Sequence, residues 1–129
     1  MAIPCEAWWV ATEDMGPAFR AHYEMEARRG ELRIGFEAVV EHTPERLVVV
    51  GFDRLGAQAF ALHQTGTTIE IVLPARPGFH VHPITVLGAI HRVRFRDQGK
   101  PEPDGSMHVR ACGIEIRMRE APAEPARSR

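Results

Sequence analysis

The chain has 129 residues, one domain's worth, and a chain of this size buries roughly two-thirds of the surface its unfolded form exposes, enough for one core. Its net charge of −1, with 44 % apolar and 26 % charged residues, lacks the basic excess of a nucleic-acid binder and matches an ordinary globular composition. No run of about 18 apolar residues is available to cross a membrane as a helix, and Met1 to Val10 lacks the basic and apolar regions of a secretory signal.

In chain order, Pro4 followed by Glu6-Ala7-Trp8-Trp9-Val10-Ala11 predicts a short helix within residues 4–15, stopped by Gly16-Pro17. Phe19, Ala21, Tyr23, Met25 and Ala27 alternate with Arg20, His22, Glu24 and Glu26, the period of a strand with one wet face. After a turn at Arg28-Arg29-Gly30-Glu31, the pattern repeats with Leu32, Ile34, Phe36, Ala38 and Val40 on one face. Leu47 to Phe52 is continuously apolar and is expected to be covered on both faces. Asp53-Arg54-Leu55-Gly56 turns the chain into Ala57 to Gln64, with Phe60 and Leu62 inward. Thr65-Gly66 then leads to Thr67 to Leu73, with Ile69 and Ile71 on one face. Five strands joined by short turns make an antiparallel meander.

Pro74 to Pro83 reads as an extended loop. Pro83 opens a predicted helix to about Phe95, with Ile84, Leu87, Ile90 and Val93 on one stripe. A polar loop over 97–106 precedes one more strand, Met107 to Met118. The whole reads as a mainly β, α+β fold: a single domain over 1–120, then a disordered tail over 121–129. Cys5 and Cys112 are too few for a disulfide framework. Two free thiols are the default, and one Cys5–Cys112 bridge is the alternative for a protein outside the cytoplasm.

The segments Phe36-Glu-Ala-Val-Val-Glu41, Arg46-Leu-Val-Val-Val-Gly-Phe-Asp-Arg-Leu-Gly56, Phe60-Ala-Leu-His63 and Thr65-Gly66, with the later Ala111-Cys112-Gly113, resemble the core of LolA/LolB-like proteins. They resemble more closely an uncharacterised bacterial lipoprotein family of that superfamily. The resemblance covers about residues 19–118 and rests on structural motifs. It implies a curved antiparallel sheet or incomplete β-barrel with a helical lid, whose cavity receives acyl chains of lipoproteins without chemistry, in the periplasm or at the outer membrane. The lipoprotein signal of that family has no counterpart in Met1 to Pro4 before Cys5, so lipidation of Cys5 is not expected and the chain as given would stay in the cytoplasm. The C-terminus is short for a full set of closing strands, which implies a more open barrel.

A curved sheet of five or six strands leaves its concave face unfilled unless a helix docks there. If helix 83–95 covers it only in part, an apolar cavity opens among Phe36, Phe60, Leu62, Ile69 and Ile71, with Leu87 and Ile90 facing it and Gly78 and Gly88 as points of give. The bland alternative is that these residues fill a closed core.

Polar candidates are weaker. His80-Val81-His82 places two histidines on one side of an extended segment, where a metal would need His63, His91 or Glu70 as further ligands. Exposed loop histidines are the default. Cys112 and His108 lie about 13 Å apart along a strand, too far for a nucleophile–base pair. Glu37, Glu41, Glu70 and Glu115 read as a solvated sheet surface, and Gly51 and Gly56 as turn geometry. Trp8-Trp9 reads as an anchor for a terminal helix. Arg92, Arg94 and Arg96 read as a solvated helix face, with peripheral contact to lipid headgroups as the functional alternative.

The first expectation is therefore a non-enzymatic acyl-chain or lipoprotein carrier, with no metal or cofactor and with an envelope protein as a further partner. The second is a structural or interaction module with a filled core. The third is a small metal-dependent enzyme built on His80 and His82.

Overall fold

The structure, a computed structural model, describes residues 9–121. The alternation in the sequence becomes eight strands: β1 (Phe19–Arg29), β2 (Leu32–Thr43), β3 (Arg46–Phe52), β4 (Gln58–Thr65), β5 (Thr68–Leu73), β6 (Lys100–Pro101), β7 (Met107–Ala111) and β8 (Ile114–Glu120), with α1 (Pro83–Ile90) between β5 and β6. They form one antiparallel sheet in the order β5-β4-β3-β2-β1-β8-β7-β6. The sheet is not closed. The meander runs from β1 to β5, and β8 returns to the free side of β1.

α1 packs against both β4 and β7, which are separated in the sheet by β3, β2, β1 and β8. In a flat sheet those two strands would stand roughly 24 Å apart at about 4.8 Å per strand, whereas a helix with its side chains is about 10–12 Å across. The sheet therefore curls around α1, as a half-barrel-like fold with the helix over its concave face.

Burial follows the alternation. Ala21, Tyr23, Met25 and Ala27 of β1 and Phe36, Ala38 and Val40 of β2 face the core, as do Leu47 and Val49 of β3 and Ile116 and Met118 of β8. α1 starts where the prolines predict. His82 caps it by accepting from the Ile84 N–H at 3.0 Å, and Pro83 fills its first turn. The helix continues as a π-helical turn over His91–Phe95.

Several expectations change. Every residue of α1 is buried, so it has no wet face: the sheet meets it from both β4 and β7, and residues 9 and 10 pack just beyond its C-terminal end. Val10 donates its N–H to His91 Nδ1 and the Trp9 ring packs edge-on against His91 at 5.0 Å. The helix expected within 4–15 is, in its described part, extended backbone at Ala11 and one 3-10 turn over Thr12–Asp14. Here the backbone bonds the β4–β5 turn instead, through Thr12 N–H to Gly66 O at 3.1 Å and Gly66 N–H to Thr12 Oγ1 at 2.9 Å. Trp8, Cys5 and residues 122–129 of the expected tail lie outside the described residues.

The run expected as one strand over 107–118 is a hairpin. Cys112 and Gly113 form its two-residue turn at φ 56° and 75°, the mirror-image turn that matches strand twist. Cys112 is disulfide-bonded, not a free thiol. β3 is fully buried on one face only. Val48, Val50 and Phe52 are half-buried, shielded by in-sheet neighbours such as Val39, Ala61 and His63.

Candidate functional site

The residues expected to line a cavity are brought together, but they pack. Phe60, Leu62, Leu87 and Ile90 have no exposed surface and Phe36 has 4 %. Ile69 is half-buried at the rim, and Ile71 is 37 % exposed on the edge strand β5. Gly51 lies opposite Phe60 in the register, and a Cβ there would fall 2.1 Å from the Phe60 ring. Gly51 thus serves close approach within a strand, and not a turn.

An open apolar cleft lies next to this core, at the end of the sheet where the β1–β2 and β3–β4 turns and the 74–80 loop meet. Its volume is about 470 Å³, and its apolar lining is Leu32, Ile34, Leu55, Ala59, Pro77 and Phe79. This falls within the roughly 300–1,000 Å³ usual for small-molecule sites. Phe79 joins cleft to core. It lines the cleft and packs edge-on against Phe36 at 5.2 Å and tilted against Phe60 at 5.7 Å. Leu55, at the tip of the β3–β4 turn, is 94 % exposed.

Asp53 builds the walls. One carboxylate oxygen accepts from the Leu55 and Ala57 N–H groups at 2.9 and 3.0 Å, fixing the turn that presents Leu55. The other accepts from Arg76 Nη2 at 2.7 Å, and the Arg76 N–H bonds Ala59 O at 3.0 Å. The loop carrying Phe79 is thereby tied to β4. Gly78, in this loop, has φ 91°, a backbone state that glycine adopts at little cost.

Arg33, Arg54 and Arg76 also line the cleft. The Arg54 guanidinium lies on Gly35, where a Cβ would fall 2.7 Å from Nη2. Arg33 stands opposite Arg28 in the β1–β2 register. Among the described residues, no carboxylate lies within salt-bridge distance of Arg33 or Arg54.

The other polar candidates are occupied elsewhere. His82 is the helix cap, whereas His80 lines the cleft. No three His, Cys, Asp or Glu side chains converge to hold a metal among the described residues. Arg94 donates to the Tyr23 hydroxyl at 2.9 Å, lies 3.4 Å from Glu120 and stacks 3.8 Å above the Phe19 ring. Burial raises the Tyr23 hydroxyl above its ordinary pKa, with Arg94 opposing. Arg92 donates to Gln98 at 3.1 Å, so this arginine series is not a free face. Glu37, Glu41, Glu70 and Glu115 pair on the outer face with His22, Arg20, His63 and His108.

Sequence reasoning passed over Leu55, Arg54 and Phe79 because turn and loop residues were read for geometry. The available signal was apolar side chains placed within turn-forming segments. Compared with protein-family models, curated proteins and solved structures, the chain matches none.

Proposed function

We propose that this chain is a non-enzymatic binding domain for an acyl chain, taking it in the cleft beside Phe79 instead of in a cavity under α1. The observation that carries the reading is an apolar cleft rimmed by exposed Leu55 and Leu32 at 94 % and 42 %. Exposed apolar rims mark binding surfaces in soluble domains. Phe36 and Phe60 stand directly behind Phe79, so displacement of the Gly78–Phe79 segment would lengthen the cleft toward the core. The LolA/LolB-like resemblance supports acyl-chain or lipoprotein binding in the bacterial envelope. The disulfide at Cys112 supports an oxidising compartment such as the periplasm.

A second reading, a structural or interaction module of an envelope assembly, draws on the absence of any exposed surface on Phe60, Leu62, Leu87 and Ile90. Native mass spectrometry of protein purified from bacterial cells, beside a denatured control, separates the two. The carrier should show a non-covalent adduct of acyl-chain mass that is lost on denaturation and weakened by Leu55→Asp, a change at an exposed position that leaves the core intact. Each buried CH₂ contributes about 0.8 kcal/mol, so affinity should rise with chain length. A clean mass that stays clean after incubation with palmitate favours the module.

A further inference from the structure

Resting on the acyl-chain reading of the cleft, we propose that its occupant carries an anionic carboxylate head, held where the apolar lining meets Arg33 and Arg54. The lining divides by chemistry. Leu32, Ile34, Leu55, Ala59, Pro77 and Phe79 offer only apolar atoms to a chain, and the charged contribution is three arginines and Asp53. Asp53 is already saturated, by two backbone N–H groups and by Arg76. Its charge and that of Arg76 offset one another, and the positive charge left over belongs to Arg33 and Arg54.

Arg54 marks the head-group end. It lines the apolar cleft and also two neighbouring hollows, of about 280 and 620 Å³, where the lining turns polar with Glu24, Glu37, Asp104 and Arg119. The acidic groups there are engaged, as is Glu26 in the smaller hollow: Glu24 with Arg119, Glu26 with Arg117 at 3.9 Å, Glu37 with His22, and Asp104 with Ser106 at 2.6 Å. Gly35 matters because its missing side chain lets the Arg54 guanidinium lie flat at the boundary. A planar guanidinium without a partner among the described residues suits a carboxylate, which it can bind through two parallel N–H groups. Arg33 faces Arg28 across the β1–β2 pair, a like-charge juxtaposition that a bound anion relieves.

The test compares binding of dodecanoate, 1-dodecanol and acetate to the full chain by isothermal titration calorimetry at low salt. Wild type should bind dodecanoate at least tenfold more tightly than dodecanol, and acetate not measurably. In Arg33→Gln/Arg54→Gln, both exposed positions, the preference should vanish while dodecanol affinity stays within twofold. Circular dichroism checks that the variant folds. Equal binding of dodecanoate and dodecanol by wild type would overturn the anionic-head assignment and keep the acyl site. No binding of either chain would overturn the acyl reading itself. Cosedimentation with phosphatidylglycerol vesicles without binding of free dodecanoate would also overturn the proposal, in favour of a membrane-surface role.

Discussion

His91 is the residue whose environment most constrains its charge. Its Nδ1 accepts from the Val10 N–H at 3.3 Å, so Nε2 carries the proton and donates to Gln64 Oε1 at 2.8 Å. Gln64 Nε2 donates in turn to Val10 O and Gly66 O, both at 2.7 Å. This buried network ties residues 10–12 to β4 with every member satisfied. Burial, reinforced by Arg96, lowers the His91 pKa from 6.5 to about 4. The unfolded chain therefore binds the proton more readily. His91 contributes stability that is full above about pH 6.5 and is lost as pH falls toward 4, by about 3 kcal/mol in all. Urea unfolding at pH 6.5, 5.5 and 4.5 should show a decline in wild type that His91→Gln reduces by about 2 kcal/mol, the part of the loss that falls within this window; parallel declines would refute the assignment. Gly51 makes a different demand. Its missing Cβ is the space the Phe60 ring occupies, and Phe60 has no exposed surface. Gly51→Ala should cost about 1–3 kcal/mol through overpacking, seen as a lower urea midpoint. An unchanged midpoint would mean that the ring has somewhere else to go.

At the scale of the element, β5 is the exception. Strands within the sheet bury one face, but five of the six β5 residues are exposed and Ile69 is half-buried. Ile71, Val72 and Leu73 account for three of the five large hydrophobic residues exposed in the described structure. β5 is an edge of the sheet and carries no lysine or proline to discourage pairing. On the outer face, Val39, Val50, Ala61 and Leu73 face one another in a row that runs to this edge. Light scattering during mild heating should show slower aggregation for Val72→Lys than for wild type. Indistinguishable traces would place the aggregating surface elsewhere. The opposite edge, β6, is only two residues long and is blunted by its brevity.

For the molecule as a whole, the antiparallel strands from 19 to 73 and the helix opening at Pro83 were legible in the sequence. Both rest on local rules: period-two alternation on a half-buried sheet, two-residue turns with glycine, and proline at a helix start. The hairpin at Cys112-Gly113 was not legible. The inward positions shift from odd to even numbers across it, from Val109 and Ala111 to Ile114, Ile116 and Met118, but Ala111-Cys112-Gly113-Ile114 has no polar residue to mark a turn, and cysteine is not a usual turn residue. Nor could the sequence show that α1 would be buried on every side, since that depends on the sheet curling to bring both β4 and β7 against it and on residues 9–12 packing beyond its C-terminal end through bonds to Gln64, Gly66 and His91. The candidate site divides in the same way. For β1, β2 and β4 the sequence alone determined which side chains face the core, because alternation assigns faces strand by strand, whereas Ile71, expected on the same face, is exposed on the edge strand β5. Whether those side chains enclose a space or fill it was decided by the tertiary structure, because that turns on how tightly the sheet curls around one helix. The same curl brings Arg33, Arg54 and Phe79, from three separate segments, to a single cleft, a juxtaposition that no local pattern encodes.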